Sequence, residues 1–172
     1  MCVVQKTVFK IIILGETGVG KTAMILKAKT KSFPDPEFLK STIGIAHHSI
    51  ELGEDKEMVV WDFGGQQHFK RFISSMFKGA HGGIFVFDLS SPLTLDALER
   101  YWIPEVQSKV GDLSTFILVG NKADLEQKVP DEEIEKFAKK YGFKFYKISA
   151  KNDDTMVLFK ELYELILNSL EM

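Results

Sequence analysis

The chain has one cysteine, Cys2, in 172 residues. An internal disulfide is therefore excluded, a bridge-stapled secreted scaffold is not expected, and there is no cysteine cluster to hold zinc. Long apolar runs are missing as well. The longest near the start, Val8 to Leu14, is interrupted by Lys10 and falls far short of the about 20 residues a membrane helix needs. The N-terminus does not run through the basic, apolar and small-residue regions of a secretory signal. Nor is there an excess of one charge: 22 Lys and Arg face 24 Asp and Glu, a formal charge of −2. This excludes a broad phosphate-neutralising face for nucleic acid, so any polyanion bound must be small. No Pro/Gly/Ser linker, repeat or low-complexity segment divides the chain. The remaining composition, 45% apolar and 27% charged, is that of an ordinary globular protein. The expectation is a single domain over residues 1–172, folded and soluble in a reducing cytosol.

Short apolar runs alternate with helical patterns, which implies an α/β fold. Val8 to Leu14 is rich in β-branched residues and leads into a glycine turn, as a buried strand would; a helix over Lys21 to Lys31 follows. Ile43 to Leu52 and Lys56 to Asp62 flank the polar break Gly53-Glu54-Asp55 and read as a hairpin. Gly82 to Asp88 and Thr115 to Gly120 are near-continuous apolar runs, suited to parallel strands covered on both faces. Phe143 to Ile148 supplies a sixth strand.

Leu95, Leu98, Trp102 and Val106 share a helical face begun by Ser91 and Pro92, with a bend expected at Pro104. Ile134, Phe137, Ala138 and Tyr141 form a second stripe behind Asp131 as N-cap. A last helix runs from about Asp154 to Asn168. Together these describe a doubly wound, mostly parallel six-stranded sheet with one antiparallel edge strand and helices on both faces. Such sheets bind ligands at the carboxyl ends of their strands.

The first loop to leave a strand is Gly15-Glu16-Thr17-Gly18-Val19-Gly20-Lys21-Thr22, a complete G-x-x-x-x-G-K-[ST] between a strand and a helix. Its glycines let the backbone curl so that successive N–H groups face a phosphate, and the following helix adds its positive dipole end. Gly15, Thr17, Gly18, Val19, Gly20, Lys21, Thr22 and Ala23 are thus candidate nucleotide contacts. Lys21 brings charge to the β- and γ-phosphates, and Thr22 suits Mg²⁺. The competing reading is a glycine turn that happens to precede Lys-Thr, but a chance match in this context is rare. This loop alone does not separate ATP from GTP.

The base is addressed further along. Asn121-Lys122-Ala123-Asp124 and Ser149-Ala150-Lys151 each follow a strand. A carboxylate at Asp124 accepts from guanine N1–H and the 2-amino group, a donor pair that adenine lacks. Without both donors a partly buried carboxylate is left unpaired, at about 1–3 kcal/mol. Taken singly, Asn121 to Asp124 also reads as a surface turn. With the upstream loop and Ser149-Ala150-Lys151 in order, the chain resembles the Ras-like small GTPases over nearly its whole length. The resemblance implies that Asn121 braces the loops, the Lys122 stem lies along the base, and the Ala150 amide meets the guanine oxygen within the Ser149–Lys151 loop.

Two further stretches resemble the family's switches. Ser41-Thr42-Ile43-Gly44 is similar to switch I, where Thr42 would ligate Mg²⁺ and bond the γ-phosphate. Asp62-Phe63-Gly64-Gly65-Gln66 is similar to the D-x-x-G-Q of switch II. There Asp62 would hold Mg²⁺ through a water, the Gly65 amide would sense the γ-phosphate, and Gln66 would orient the attacking water. Lys21, Thr42 and Gln66 are accordingly the catalytic candidates, and Thr22, Thr42 and Asp62 the metal candidates. Phe33 stands where the family often sets an aromatic against the guanine edge; a core or surface phenylalanine is the rival reading. Pro34 to Ser41 is a little longer than in Ras, and Thr17 replaces a glycine found there.

Arginine is scarce: Arg71 and Arg100 are the only two, and neither precedes Thr42. An arginine supplied in cis is thus absent, and such a group is worth about 10³–10⁵ in rate. Slow intrinsic turnover accelerated by a partner is expected, with Arg71 solvated or facing that partner. Exchange factors, activating proteins and effectors would bind through the switches. Trp61, Phe63, Phe69, Phe72, Met76 and Phe77 gather near switch II, and Phe63 and Phe72 are the expected effector contacts. His47 and His48 should face opposite ways in a strand, which argues against a shared metal site.

The first switch and Trp61 look Rab-like, whereas Phe63-Gly64-Gly65-Gln66 is nearer the Arf form, so the subfamily stays open at this level. The sequence neither begins Met-Gly nor ends in a cysteine motif, so neither myristoylation nor prenylation is expected of it, and Cys2 reads as an unmodified thiol. A cytoplasmic protein is expected, peripheral to membranes only through partners or a further tail. The resulting expectation is a GTP-hydrolysing switch with GTP and GDP as substrate and product and Mg²⁺ as cofactor. Its rivals are a nucleotide-loaded scaffold with negligible turnover, opposed by Lys21, Thr42 and Gln66, and a P-loop kinase or ATPase, opposed by Asp124.

Overall fold

Residues 6–66 and 70–172 are described by the computed structural model; Cys2 and Phe69 lie outside the described residues. Strand β1 spans Thr7–Leu14 and passes into helix α1, Lys21–Thr30. A hairpin follows, β2 (Ile45–Glu51) and β3 (Lys56–Phe63), then a short helix α2 (Lys70–Ile73). The second half runs β4 (Gly82–Asp88), α3 (Pro92–Ala97), α4 (Ile103–Val110), β5 (Phe116–Asn121), α5 (Asp131–Tyr141), β6 (Lys144–Lys147) and α6 (Met156–Leu170). The strands lie in one sheet ordered β2-β3-β1-β4-β5-β6, and only β2 runs antiparallel to its neighbour. All the expected strands are present, with ends moved by one or two residues.

Alternation along β1 divides the core. Ile11 and Ile13 pack with Met24, Ile25, Phe159 and Leu162 beneath α1 and α6. Ile12 and Leu14 face the other way, toward Phe85, Phe87, Trp102 and Phe137 under α3, α4 and α5. Every residue of β4 and β5 is buried, as continuous apolar runs require when helices cover both sheet faces. The five parallel strands open their carboxyl ends in one direction, so the loops after β1, β3, β5 and β6 meet on one rim.

Three helix expectations need correction. Pro104 does not simply bend a helix: Leu98–Trp102 forms a π-helical turn between α3 and α4, ending two residues before the proline. Proline has no N–H and its ring crowds the carbonyl four residues back, and a widened turn relieves that clash while the chain continues. Leu95, Leu98, Trp102 and Val106 all remain buried. Asp131 is the first residue of α5 rather than its cap; Pro130 takes the cap position with φ −61°. Asp131, Glu132 and Glu133 still complement the positive end of the helix. Helix α6 likewise starts two residues later than expected, with Asp154 Oδ1 accepting from the Met156 amide at 2.9 Å.

Trp102 is completely buried, and its indole Nε1 donates to Glu16 Oε1 at 3.0 Å. Trp102→Ala is therefore expected to cost about 3–5 kcal/mol, read as a fall of about 10 °C in Tm. A loss under 1 kcal/mol would contradict the packing described.

Candidate functional site

The loop after β1 curls over the start of α1. Gly20, at φ 101°, enters the helix in a conformation that favours glycine, and a Cβ there would run into the Asn121 carboxamide. That carboxamide ties three segments together. Asn121 Nδ2 donates to the Val19 carbonyl at 2.9 Å, and Asn121 Oδ1 accepts from the Ala150 amide at 3.0 Å. Lys21 lies within this turn, 6% exposed, donating to the carbonyls of Gly15 and Glu16 at 2.9 Å each. Burial pulls its pKa down to about 8, against the opposing pull of the Asp62 and Glu16 carboxylates.

At the other end, Ser149 Oγ donates to Asp124 Oδ1 at 2.7 Å, so the two loops after β5 and β6 orient each other. Lys122 adopts φ 66° and pairs with Asp88 Oδ2 at 2.8 Å. Burial works against the Asp88 carboxylate, but Lys122 and the Ser90 hydrogen bonds outweigh it and hold its pKa below the usual range. Asp124 itself is exposed rather than partly buried. Its mispairing penalty therefore sits at the low end of the range above, because water can reach the unpaired oxygen.

A third group gathers where the Ser41–Gly44 segment meets β3. Thr22 Oγ1 donates to Asp62 Oδ2 at 2.5 Å, Thr42 Oγ1 lies 2.9 Å from Thr22 Oγ1, and Thr42 also reaches Asp62 Oδ2 at 3.3 Å. Asp62 is fully buried, and its Oδ1 has no hydrogen-bond partner. Two hydroxyls and one carboxylate with spare acceptor capacity form a hard oxygen set, the donor type that suits Mg²⁺ beside substrate phosphates. Among the described residues no three His, Cys, Asp or Glu side chains cluster as a metal cage. A cation here would thus depend on these hydroxyls and on the ligand's own oxygens.

These groups surround one cavity of about 330 Å³, within the range of small-molecule sites. Of the residues singled out from sequence, Thr17, Gly18, Gly20, Lys21, Thr22, Ala23, Phe33, Thr42, Gly65, Asn121, Lys122, Asp124, Ala150 and Lys151 line it. Gly15, Val19, Asp62 and Ser149 are buried behind that wall, and Gln66 is half-buried beside Gly65 without lining it. A Cβ on Gly65 would strike the backbone between Gly15 and Thr17, so the Gly64-Gly65 turn rests directly on the loop after β1.

Leu39 and Lys40 also line the cavity and were missed. They carry no motif, and reach the site because a 3-10 turn at Pro36–Phe38 folds the segment back. Also missed was the anchoring of α2: Lys70 Nζ lies 2.6 Å from Glu16 Oε1 and 4.6 Å and 5.1 Å above the Tyr101 and Trp102 rings. The expectation for Phe63 is wrong. It is fully buried, edge-to-face with Phe77 at 5.2 Å, because it continues β3 into the core. Phe72 is 67% exposed and Arg71 is exposed too. His47 stacks edge-on against Trp61 while His48 turns to the opposite face near Asp62, as alternation requires.

A phosphate-type loop on a doubly wound sheet, with base-type and oxygen-rich loops on the same rim, defines the fold of a Ras-family G domain. The Ras family model matches residues 10–170, and the chain belongs to that family, which hydrolyses GTP. It is 36% identical over 170 residues to Ras-related protein Rab-18 of Lymnaea stagnalis, covering 95% of this chain and 82% of that protein. It is 34% identical over 163 residues to Ras-related protein Rab-5B of Plasmodium falciparum (isolate 3D7), covering 92% and 77%. With Ras-related protein RabC of Dictyostelium discoideum the figures are 27% over 174 residues, 97% and 86%. Rab-like is therefore the subfamily.

Proposed function

We propose that residues 1–172 form one G domain that binds GTP and GDP with Mg²⁺ in the cavity between the Lys21, Asp124 and Thr42 loops. GTP is hydrolysed slowly, and the conformations of the two switches set affinity for effectors and regulators in membrane traffic. The observation that carries this reading is the convergence of Thr22, Thr42 and Asp62 oxygens at the Lys21 end of a cavity whose far wall is Asp124 and Ala150.

In this arrangement the loop amides and Lys21 hold the phosphates, Asp124 and the Ala150 amide select guanine, and Phe33 meets the base edge. Thr22, Thr42 and Asp62 would hold Mg²⁺, which when bound neutralises charge on the β,γ-phosphate oxygens. Gln66 orients the attacking water, and Gly65, resting on the phosphate loop, moves when the γ-phosphate leaves. No helix among the described residues is long and apolar enough to cross a membrane, so membrane attachment would come through partners or a lipid.

Nucleotide released by denaturing the purified protein should be GDP or GTP; ADP or ATP would overturn the base assignment. In single-turnover assays, Gln66→Leu should leave GTP binding intact and slow phosphate release by about 10-fold or more, the scale of losing a positioned group. Equal rates in both proteins would support a nucleotide-loaded scaffold instead.

A further inference from the structure

Helix α2 begins four residues after Gln66, and its buried residues are Lys70 and Ile73. A lysine at this depth is rare unless it is paired, and Lys70 is paired with a single carboxylate. Its Nζ donates to Glu16 Oε1 at 2.6 Å, with the ring centres of Tyr101 and Trp102 at 4.6 Å and 5.1 Å. The same Glu16 oxygen accepts from Trp102 Nε1 at 3.0 Å. The main chain of Glu16 is held as well. Lys21 Nζ donates to its carbonyl at 2.9 Å, and a Cβ on Gly65 would stand only 2.5 Å from its carbonyl carbon. One residue of the phosphate loop therefore carries both ends of the stretch 65–70: Gly65 through contact with its backbone, Lys70 through an ion pair with its side chain.

Gln66 lies inside that stretch, next to Gly65. The role proposed for it needs its carboxamide held against one water, and a displacement of about 1 Å in such a group can cost up to about 10²-fold in rate. Gly65 fixes the chain on one side only, and glycine leaves the backbone angles there free. A second anchor is needed to set the course of the chain beyond Gln66. Arg71 and Phe72 are exposed and supply none. We propose that Lys70 is a positioning residue for hydrolysis: its ion pair with Glu16 ties the start of α2 to the phosphate loop and thereby holds Gln66 at the γ-phosphate end of the cavity. Because Lys70 is buried, the pair is screened far less by solvent and salt than a surface pair. A residue that acts through Gln66 can cost no more than the loss of Gln66 itself, which bounds the effect from above. The inference rests on the nucleotide and Gln66 reading given under the proposed function, and adds to it a residue outside every motif of the chain.

The test is single-turnover GTP hydrolysis by the whole protein, read at saturating nucleotide so that a change in affinity does not enter. The chains compared are the unsubstituted protein, Lys70→Met, Lys70→Arg, Gln66→Leu, and Lys70→Met combined with Gln66→Leu. Methionine keeps an unbranched stem and drops the charge; arginine restores a cation that pairs with a carboxylate and stacks on aromatic rings. Lys70→Met should slow hydrolysis by about 5-fold or more, short of the loss in Gln66→Leu, and Lys70→Arg should recover most of the rate. Added to Gln66→Leu, Lys70→Met should slow nothing further, as two changes that act through one group do not add. Glu16→Gln keeps an acceptor for the Trp102 indole while removing the charge; it should slow hydrolysis in the same way, and gives the reading if Lys70→Met fails to fold. An unchanged rate in whichever of the two folds, a Lys70→Arg as slow as Lys70→Met, or a full loss repeated in the Gln66→Leu background would each overturn the role of Lys70 alone. No GTP binding by the unsubstituted protein, or a Gln66→Leu protein as fast as the unsubstituted one, would instead overturn the reading it rests on and this inference with it.

Discussion

Lys21→Met is expected to weaken GTP binding by about 10²- to 10³-fold while the protein stays folded. The ammonium sits among the carbonyls of Gly15 and Glu16 at the end of the cavity where the oxygen cluster lies. Truncating one member of a desolvated charge pair costs about 2–5 kcal/mol, and each 1.4 kcal/mol is about tenfold. The two carbonyls that Lys21 satisfies lose a partner but stay within a turn that Asn121 also braces. Equilibrium titration with a fluorescent GTP analogue reads the loss directly. A change of less than about fivefold would mean that the triphosphate does not lie against Lys21.

The same residue sets a pH dependence whose direction is opposite to that of an ordinary surface ion pair. Burial disfavours the Lys21 charge and lowers its folded-state pKa to about 8 from the ordinary lysine value of 10.5. Between those pH values the unfolded chain binds more protons than the folded one, and stability then rises with pH. The nucleotide-free protein should therefore gain stability between about pH 8 and pH 10 relative to Lys21→Met, in which this titration is absent. Saturating GDP should cancel the difference, since phosphate charge favours the ammonium. Denaturant unfolding at stepped pH, with and without nucleotide, measures both.

Most of the site was readable because its loops impose local demands on the backbone. A curl of inward amides needs glycines at set positions, and a strand end that turns toward a base needs short polar residues; both leave a mark within a few consecutive letters. The buried strands β4 and β5 were equally plain, since a strand covered on both faces has no polar position to interrupt it. What sequence could not reveal depends on meetings through space. Lys70 and Glu16 are 54 residues apart, and Trp102 and Glu16 are 86 apart; neither charge differs locally from a solvated one. Leu39 and Lys40 reach the cavity only through a backward turn.

Phe63 shows another limit. Its place in a switch motif suggested a partner surface, yet Asp62 and Phe63 are consecutive in β3 and so face opposite sides of the sheet. Phe63 shares a side with Trp61, 6.3 Å away between ring centres, and this places it among the aromatics of the core. The π-helical turn before Pro104 was hidden for a related reason. Periodicity identifies the face a helix buries, and that face is the same whether the proline is met by a bend or by a widened turn.

The second large effect belongs to Asp124. Two charge-assisted hydrogen bonds from guanine, at about 1.5–3 kcal/mol each and discounted for an exposed carboxylate, amount to about 10²-fold in affinity. Asp124→Ala should weaken GDP by that factor and leave the already poor binding of ADP unchanged, so that the preference collapses from one side only. Asp124→Asn is more discriminating. It keeps one oxygen to accept from N1–H but turns the other acceptor into a donor, which opposes the 2-amino group of guanine and suits the 2-oxo group of xanthine. Ser149 Oγ holds Asp124 Oδ1 at 2.7 Å, which fixes the side-chain plane and makes the inversion geometrically defined. Competition of GDP, XDP and ADP against a fluorescent guanine nucleotide should show GDP falling and XDP rising in Asp124→Asn. If XDP gained nothing, the carboxylate would not be facing the 2-position of the base, and selectivity would have to come from the Ala150 amide and the guanine oxygen alone.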